Sequence, residues 1–337
     1  MPRKSILGLV LAGASVAGVA GGLVAERALI RAQRQRPDPM AGVDTGLRPD
    51  VIGRVLTMSD GARLRVLEQG TGPAIMLLHG ITLAAPIWHF QLPELAAGGY
   101  RVVAYDLRGH GASTVGREGL TLDRLAADLA EVLEVLDLRQ AVLVGHSMGG
   151  MVTLRYLAAD REAATGHGRI GALALVATSA NPVVGSGIPG ARAVVAAARP
   201  LIARAAFATS RLPGPSLGGG DLSFLLARAT FGDDPSTSQV ALTRDITAAV
   251  PARVAAGLLG EIVRFDEFAT LERLDLPTTI VVGTNDLMTP IGHARTMSDV
   301  IGGADLVILE GCGHMVMLER PRELAAALEA LAGRVKR

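Results

Sequence analysis

The sequence has little of what several common classes of function need. Its single cysteine, Cys312, excludes an intramolecular disulfide and a cysteine-based zinc site. Phe, Trp and Tyr together make up 3% of the residues, which argues against rows of nucleic-acid bases stacked on aromatic rings. Lys and Arg number 33 against 32 Asp and Glu, so the net charge of +1 lacks the basic excess of nucleic-acid binders. We therefore expect no nucleic-acid partner.

The chain is instead rich in apolar residues, which make up 49% of it and include a charge-free run from Ser5 to Ala25. Roughly 20 apolar residues can span a bilayer as a helix. We predict that residues 1–36 are a membrane anchor or signal segment and that residues 37–50 are a linker. A single N-terminal helix would anchor the protein on an undetermined side of the membrane, and secretion after signal cleavage is the alternative.

Strand-like and helix-like segments alternate from residue 51 onward, which predicts an α/β fold with a mostly parallel sheet covered by helices on both faces. In such sheets, reactive groups gather at the carboxyl ends of the strands. Residues 179–271 are too long for an ordinary connection, and we predict that they form a helical cap inserted between core segments 51–178 and 272–337. A hairpin is predicted around Asp60-Gly61, and further strands at 74–78, 101–105, 141–145, 172–178, 278–283 and 305–310.

The segment "LVGHSMGG" places Ser147 between a buried strand and a helical segment. A tight strand-to-helix turn would raise the serine hydroxyl above the sheet, and Gly145 and Gly149 supply the small neighbours that such a turn needs. The backbone N–H of Met148 would lie at the helix N-terminus, directed at a developing oxyanion. This pattern predicts a nucleophilic serine.

A serine hydroxyl is a poor nucleophile unless a base takes its proton. His314, in "EGCGHMVMLERP", follows the last strand and is the predicted base. Asp286, in "GTNDLMTP", follows the penultimate strand and is the predicted acid that orients the imidazole. A turn aspartate that caps the next helix is the alternative for Asp286. Ile81, in "HGIT", is predicted to supply the second oxyanion N–H.

Five segments in order carry a family resemblance, which extends from about Val51 to Leu331: "LLHGIT", "VVAYDLRGHGAS", "LVGHSMGG", "IVVGTNDLMTP" and "EGCGHMVMLERP". The chain resembles an α/β-hydrolase with a helical cap. The resemblance implies an eight-stranded, mostly parallel sheet. It also implies a triad of Ser147, Asp286 and His314, an oxyanion hole from the backbones of Ile81 and Met148, and no cofactor or metal. In "DLRGHGAS", we assign Asp106, Arg108 and Ser113 to the scaffold.

A serine at position 147 argues against the related dehalogenases and epoxide hydrolases, which use an aspartate there. We expect a serine hydrolase that cleaves carboxylic esters of small molecules or lipids. A carbon–carbon bond hydrolase and a cofactor-free perhydrolase of the haloperoxidase type are the nearer alternatives, and a non-catalytic ligand-binding homologue is the more distant one. The predicted anchor, with its membrane association through residues 5–25, and the apolar cap together suggest a membrane-derived acyl ester. The sequence does not determine acyl chain length or oligomeric state.

Overall fold

The structure is a computed structural model that describes residues 51–181 and 221–335, together with Arg31, Gln33, Gln35 and Asp38. Within these ranges, eight strands form one sheet in the order β1-β2-β4-β3-β5-β6-β7-β8. The predicted eight-stranded α/β fold is therefore confirmed. The strands are β1 (Ile52–Thr57), β2 (Arg63–Gln69), β3 (Ala74–Leu78), β4 (Arg101–Tyr105), β5 (Ala141–His146), β6 (Ile170–Val176), β7 (Thr278–Gly283) and β8 (Asp305–Leu309).

Strands β1 and β2 form the predicted antiparallel hairpin, and β2 also pairs antiparallel with β4. From β4 through β3 and β5 to β8, every pairing is parallel. Every residue of β3, β5 and β6 is buried, because helices cover both faces of the sheet. The carboxyl ends of the parallel strands consequently meet at one edge, which is where the chemistry was predicted.

Helices of the core cover the two faces of the sheet with separate apolar clusters. Helices α2, α3 and α9 contribute to one cluster, while α1 and α11 contribute to the other. Thr121 caps α2, since its side chain accepts from the N–H of Arg124 at 3.1 Å. The core helices are α1 (Gln91–Ala97), α2 (Leu122–Val135), α3 (Met148–Ala159), α4 (Arg161–Ala164), α9 (Ile291–Val300), α10 (Val316–Glu319) and α11 (Pro321–Ala332).

The described residues between β6 and β7 form four helices, in the part of the chain where the cap was predicted. They are α5 (Asp221–Ala229), α6 (Thr237–Ala249), α7 (Ala252–Arg264) and α8 (Phe268–Leu271). Ser236 begins α6 with a reciprocal cap, in which its hydroxyl accepts from Gln239 N and the Gln239 side chain accepts from Ser236 N. Residues 182–220 lie outside the described ranges, so the cap boundaries remain a prediction.

The prediction of a membrane-anchored protein is contradicted by the helices that the structure describes. None of them is long and apolar enough to cross a membrane. The longest, α2, has 14 residues, whereas a span needs roughly 20. The localisation and membrane association predicted above are corrected accordingly. The segment on which they rested, residues 5–25, lies outside the described residues, as does the linker 37–50 apart from Asp38.

A fully buried arginine connects three parts of the core. Arg108, in the loop after β4, contacts Asp60 of the hairpin turn at 2.6 Å and Asp128 of α2 at 2.6 Å. The hydrogen bond from the Arg108 guanidinium holds the pKa of the Asp60 carboxyl well below its usual range. Arg108 therefore belongs to the scaffold, as expected, because it satisfies two carboxylates that have no access to water.

Removing one member of this buried network should destabilise the fold strongly. We expect Arg108→Ala to lower the free energy of unfolding by about 3 to 5 kcal/mol. The buried Asp60 carboxylate loses its arginine partner, and the Asp128 carboxylate loses one of its two and retains Arg124. Arg139→Ala is the matched control, since that side chain is 72% exposed and pairs with Asp137 at the surface. The control should change the free energy of unfolding by less than about 1 kcal/mol. Urea unfolding at neutral pH measures both, and equal losses would contradict the assignment.

Candidate active site

Ser147 lies on the turn between β5 and α3 with a backbone conformation that residues other than glycine seldom adopt. Its φ is 52° and its ψ is −120°. Such a conformation costs on the order of 1–3 kcal/mol and persists only where its surroundings impose it. Here the Ser147 N–H donates to Val176 O at 3.0 Å, and the Thr178 hydroxyl donates to Ser147 O at 2.6 Å. The last residue of β6 and the segment just after it thus fix the turn through the N–H and the carbonyl oxygen of the serine.

The glycines around Ser147 leave room for a close approach of helix and sheet. A Cβ atom added at Gly145 would lie 2.5 Å from the Cα of Gly150. At Gly149 it would lie 2.5 Å from the carbonyl oxygen of Leu78, at the end of β3. Real Cβ atoms do not come this close to backbone atoms. The predicted need for small residues at both positions is therefore met in the structure.

His314 and Asp286 are in direct contact. The Nδ1 atom of His314 lies 2.8 Å from Oδ2 of Asp286, and both side chains are buried. The other carboxylate oxygen of Asp286 accepts from the N–H groups of Met288 and Thr289 at 2.8 and 2.9 Å. Asp286 therefore contacts the imidazole and also closes the turn after β7. It does not cap the next helix, whose N-cap is Pro290 and which has no side-chain cap.

The Asp286 carboxylate is kept ionised by its partners. Burial alone would raise its pKa, but the nearby charge of His314 and hydrogen bonds from His314 and Thr289 lower the pKa below its usual value. Among these bonds, the Thr289 hydroxyl donates to Oδ2 at 2.7 Å. The negative charge needed to stabilise an imidazolium is consequently present at neutral pH.

The two predicted oxyanion donors belong to two segments that adjoin Ser147. A Cβ at Gly80 would lie 3.0 Å from the Cβ of Ser147, so the loop that carries Ile81 lies directly against the serine. Met148 is the first residue of α3. In the described part of the chain, no backbone carbonyl accepts from the N–H of Ile81 or Met148. Both groups are thus available to bind an oxyanion.

A cavity of about 230 Å³ brings these groups together. Ser147, His314 and Ile81 form part of its wall, and Asp286 lies behind His314. Residues of α5 and α6 contribute to the lining as well. From these two helices the lining residues are Ser223, Leu226, Ala227, Thr243, Arg244, Thr247 and Ala248.

His146 contributes to the site in a way that the sequence did not reveal. Its Nε2 donates to the carbonyl oxygen of His314 at 3.0 Å, and the two rings lie 4.8 Å apart. Burial lowers the pKa of His146 to about 3, so the ring is neutral near pH 7. A neutral ring beside His314 fixes the backbone of the predicted base without adding a competing charge. The motif alone gave no signal of this contact, which joins residues distant in the sequence.

Glu319 is a second residue whose part in the site could not be inferred from the sequence. Its carboxylate accepts from the N–H of Gly313 at 2.9 Å and from the N–H of Gly232 at 2.6 Å. The N–H of His314 itself donates to Thr230 O at 2.7 Å. The loop that carries His314 is therefore held to the turn after α5, so the base and one wall of the cavity form one hydrogen-bonded unit.

Across residues 51–181 and 221–335, no group of three His, Cys, Asp or Glu side chains lies together in a way that could hold a metal ion.

Residues 75–327 match the alpha/beta hydrolase family. The chain is 31% identical over 277 residues to a non-heme haloperoxidase from Rhodococcus erythropolis, and the alignment covers 77% of this chain and 92% of that protein. It is 28% identical over 275 residues to the non-heme chloroperoxidase CPO-A1 from Kitasatospora aureofaciens, with 78% of this chain and 93% of that protein covered.

Among solved structures, the esterase EaEST from Exiguobacterium antarcticum has a similar fold. The two structures superpose with a TM-score of 0.69 over 84% of this chain and 100% of the esterase, at 22% sequence identity. At this identity the likeness supports the fold alone. Taken with the family match over three quarters of the sequence, it agrees with the five motifs and with the sheet order described above. This chain belongs to the alpha/beta hydrolase family.

Proposed function

We propose that this protein is a serine hydrolase that cleaves carboxylic esters through an acyl-enzyme on Ser147. One observation carries the proposal: Ser147, on its strained turn, shares a cavity with His314, whose Nδ1 is bound to Asp286. Because Nδ1–H donates to the carboxylate, Nε2 of His314 carries no proton in the neutral ring. That nitrogen is the atom that can accept the serine proton.

The proposed reaction has two halves. In the first, Ser147 Oγ attacks the ester carbonyl while His314 takes the hydroxyl proton. The N–H groups of Ile81 and Met148 stabilise the oxyanion, and loss of one such donor costs about 3 to 4 kcal/mol in comparable sites. The alcohol leaves with the proton from His314. In the second half, water attacks the acyl-enzyme with His314 as the base, and the carboxylic acid is released.

The proposal includes a helical cap over residues 179–271. In the described part of this range, α5 and α6 supply a wall of the cavity that contains Ser147 and His314. Side chains on these helices would therefore contact the acyl or alcohol part of a substrate. We assign substrate selection to the cap and the bond-breaking step to the core.

A cofactor-free perhydrolase is the second candidate, and the names of the two relatives above support it. In this reaction hydrogen peroxide, instead of water, attacks the acyl-enzyme and releases a peroxy acid. The peroxy acid then oxidises bromide to hypobromous acid and is itself reduced to the carboxylic acid. Ser147, His314 and Asp286 would have the same roles in both reactions, so only the second nucleophile differs.

Replacing the nucleophile should abolish ester turnover. We expect Ser147→Ala to lower kcat/KM for p-nitrophenyl acetate by about 10,000-fold or more, because no acyl-enzyme can form. Ser179→Ala is the matched control, since the Ser179 hydroxyl contacts a histidine outside the proposed triad, His293, at 2.7 Å. The control should retain wild-type turnover. Unchanged activity in Ser147→Ala would contradict the proposal.

Removing the negative charge of Asp286, which contacts His314, should lower kcat. We expect Asp286→Asn to lower kcat by about 1,000-fold or more with little change in KM, because the imidazolium loses its counter-charge and its fixed tautomer. Asp266→Asn is a suitable control, since Asp266 is exposed and accepts from an N–H two residues along the chain, as Asp286 does. Steady-state kinetics measure both variants. A kcat for Asp286→Asn within tenfold of the wild type would remove Asp286 from the proposed triad.

The two candidate reactions can be separated directly. Ethyl ester hydrolysis and peroxide-dependent bromination are measured on the same wild-type protein, with acetate as the acyl source for bromination. The ester-hydrolase proposal predicts that Ser147-dependent hydrolysis has the larger kcat/KM. Ser147-dependent bromination that exceeds hydrolysis would favour the perhydrolase instead.

A further inference from the structure

Arg244 gives the cavity a charge that the proposed reaction does not use. It lies on α6, and its neighbours Thr243, Thr247 and Ala248 also line the cavity. Among the described lining residues, the ionisable ones are His146, His314 and Arg244, and none is a carboxylate. Asp286 is ionised, but it lies behind His314 and is already bonded to it. The described wall therefore offers an anion one fixed positive charge and no like charge.

The guanidinium of Arg244 is only partly satisfied by the protein. Its Nε and Nη2 atoms lie 2.8 and 2.6 Å from one oxygen of Asp245, the next residue along the helix. A guanidinium carries five N–H donors in a planar fork, and one carboxylate oxygen does not engage them all. In the described ranges, no acceptor other than Asp245 contacts this side chain.

The two partners differ in their access to water. The side chain of Arg244 is 28% exposed, whereas that of Asp245 is 63% exposed. The arginine is thus the more shielded of the two, and it forms part of the cavity wall. The same wall includes the apolar residues Leu226, Ala227 and Met288. A wall of this composition suits a molecule that carries an ester, an apolar part and an anionic group.

We propose that Arg244 is a specificity-determining residue that selects esters bearing a carboxylate, such as monoesters of dicarboxylic acids. A carboxylate binds a planar guanidinium through charge-assisted hydrogen bonds, and these are stronger than neutral ones, especially where water is partly excluded. The inference rests on the proposed ester hydrolysis and adds a substrate class to it. The competing explanation is a surface ion pair with Asp245 that has no part in binding, since such pairs contribute little.

Matched esters test this assignment. Release of ethanol is measured for monoethyl adipate, which carries one carboxylate, and for ethyl hexanoate, which has the same acyl length without the charge. The quantity compared is the ratio of kcat/KM for the anionic ester to kcat/KM for the neutral one. We expect Arg244→Gln to lower this ratio by about 10-fold to 100-fold, with turnover of ethyl hexanoate nearly unchanged.

Two further variants distinguish the effect of the positive charge of Arg244 from the effect of its side-chain packing. Arg253→Gln, at an exposed arginine of the neighbouring helix α7, should leave the ratio at its wild-type value. Arg244→Lys keeps the positive charge and should retain most of the preference. An unchanged ratio in Arg244→Gln would overturn the inference. An equal loss of turnover for both esters in Arg244→Gln would overturn it too, because it would indicate lost packing.

The same measurements distinguish this inference from the proposed function. Ser147-dependent hydrolysis of ethyl hexanoate with a ratio insensitive to Arg244 would retain the ester hydrolase and reject the carboxylate preference. Hydrolysis of neither ester would reject the proposed function, and the inference with it.

Discussion

The geometry of the site depends on one backbone constraint, the left-handed conformation of Ser147. The residue is held at φ 52° and ψ −120° because β5 must turn sharply into α3. Gly145 and Gly149 permit this turn, since a side chain at either position would overlap backbone atoms of α3 or of β3. The same close approach places the loop with Ile81 against the serine. A larger residue at either glycine would therefore disturb the nucleophile and the oxyanion donors together.

The proposed base, His314, is held in place by three contacts of its own and by one contact of the residue before it. Asp286 binds its Nδ1, His146 binds its carbonyl oxygen, and Thr230 accepts from its N–H. Glu319 then connects the preceding residue, Gly313, to the turn after α5. The position of His314 is consequently linked to a wall of the substrate cavity.

Much of the fold followed from the sequence, for a physical reason. Parallel strands covered on both faces are continuous apolar runs, so β3 to β7 could be located from such runs. The half-exposed edge strand β8 was located from the similar run 305–310. The order of the motifs then identified the ends of β5, β7 and β8 as places for chemistry, and the structure brings Ser147, Asp286 and His314 to one edge of the sheet. The meeting of these three residues could be predicted because each of them closely follows the end of a strand.

The remaining features depend on contacts between distant residues, which no local pattern encodes. His146 contacts the proposed base His314, and Glu319 contacts the residue before it. Both contacts depend on the conformation of turns that the sequence does not specify. Arg244 is one of many arginines in the chain, and only the cavity distinguishes it. The membrane assignment failed because apolar length was its sole support, and no described helix has that length and apolarity.

The central claim is that Ser147 is an activated nucleophile, and covalent labelling tests it most directly. The full-length protein is treated with a fluorophosphonate, which reacts with activated serines, and the modified residue is located by peptide mass spectrometry. The account predicts one adduct, on Ser147, that forms much more slowly in Asp286→Asn. Absence of labelling at Ser147 in folded, ester-hydrolysing protein, or labelling at another serine in its place, would contradict the account.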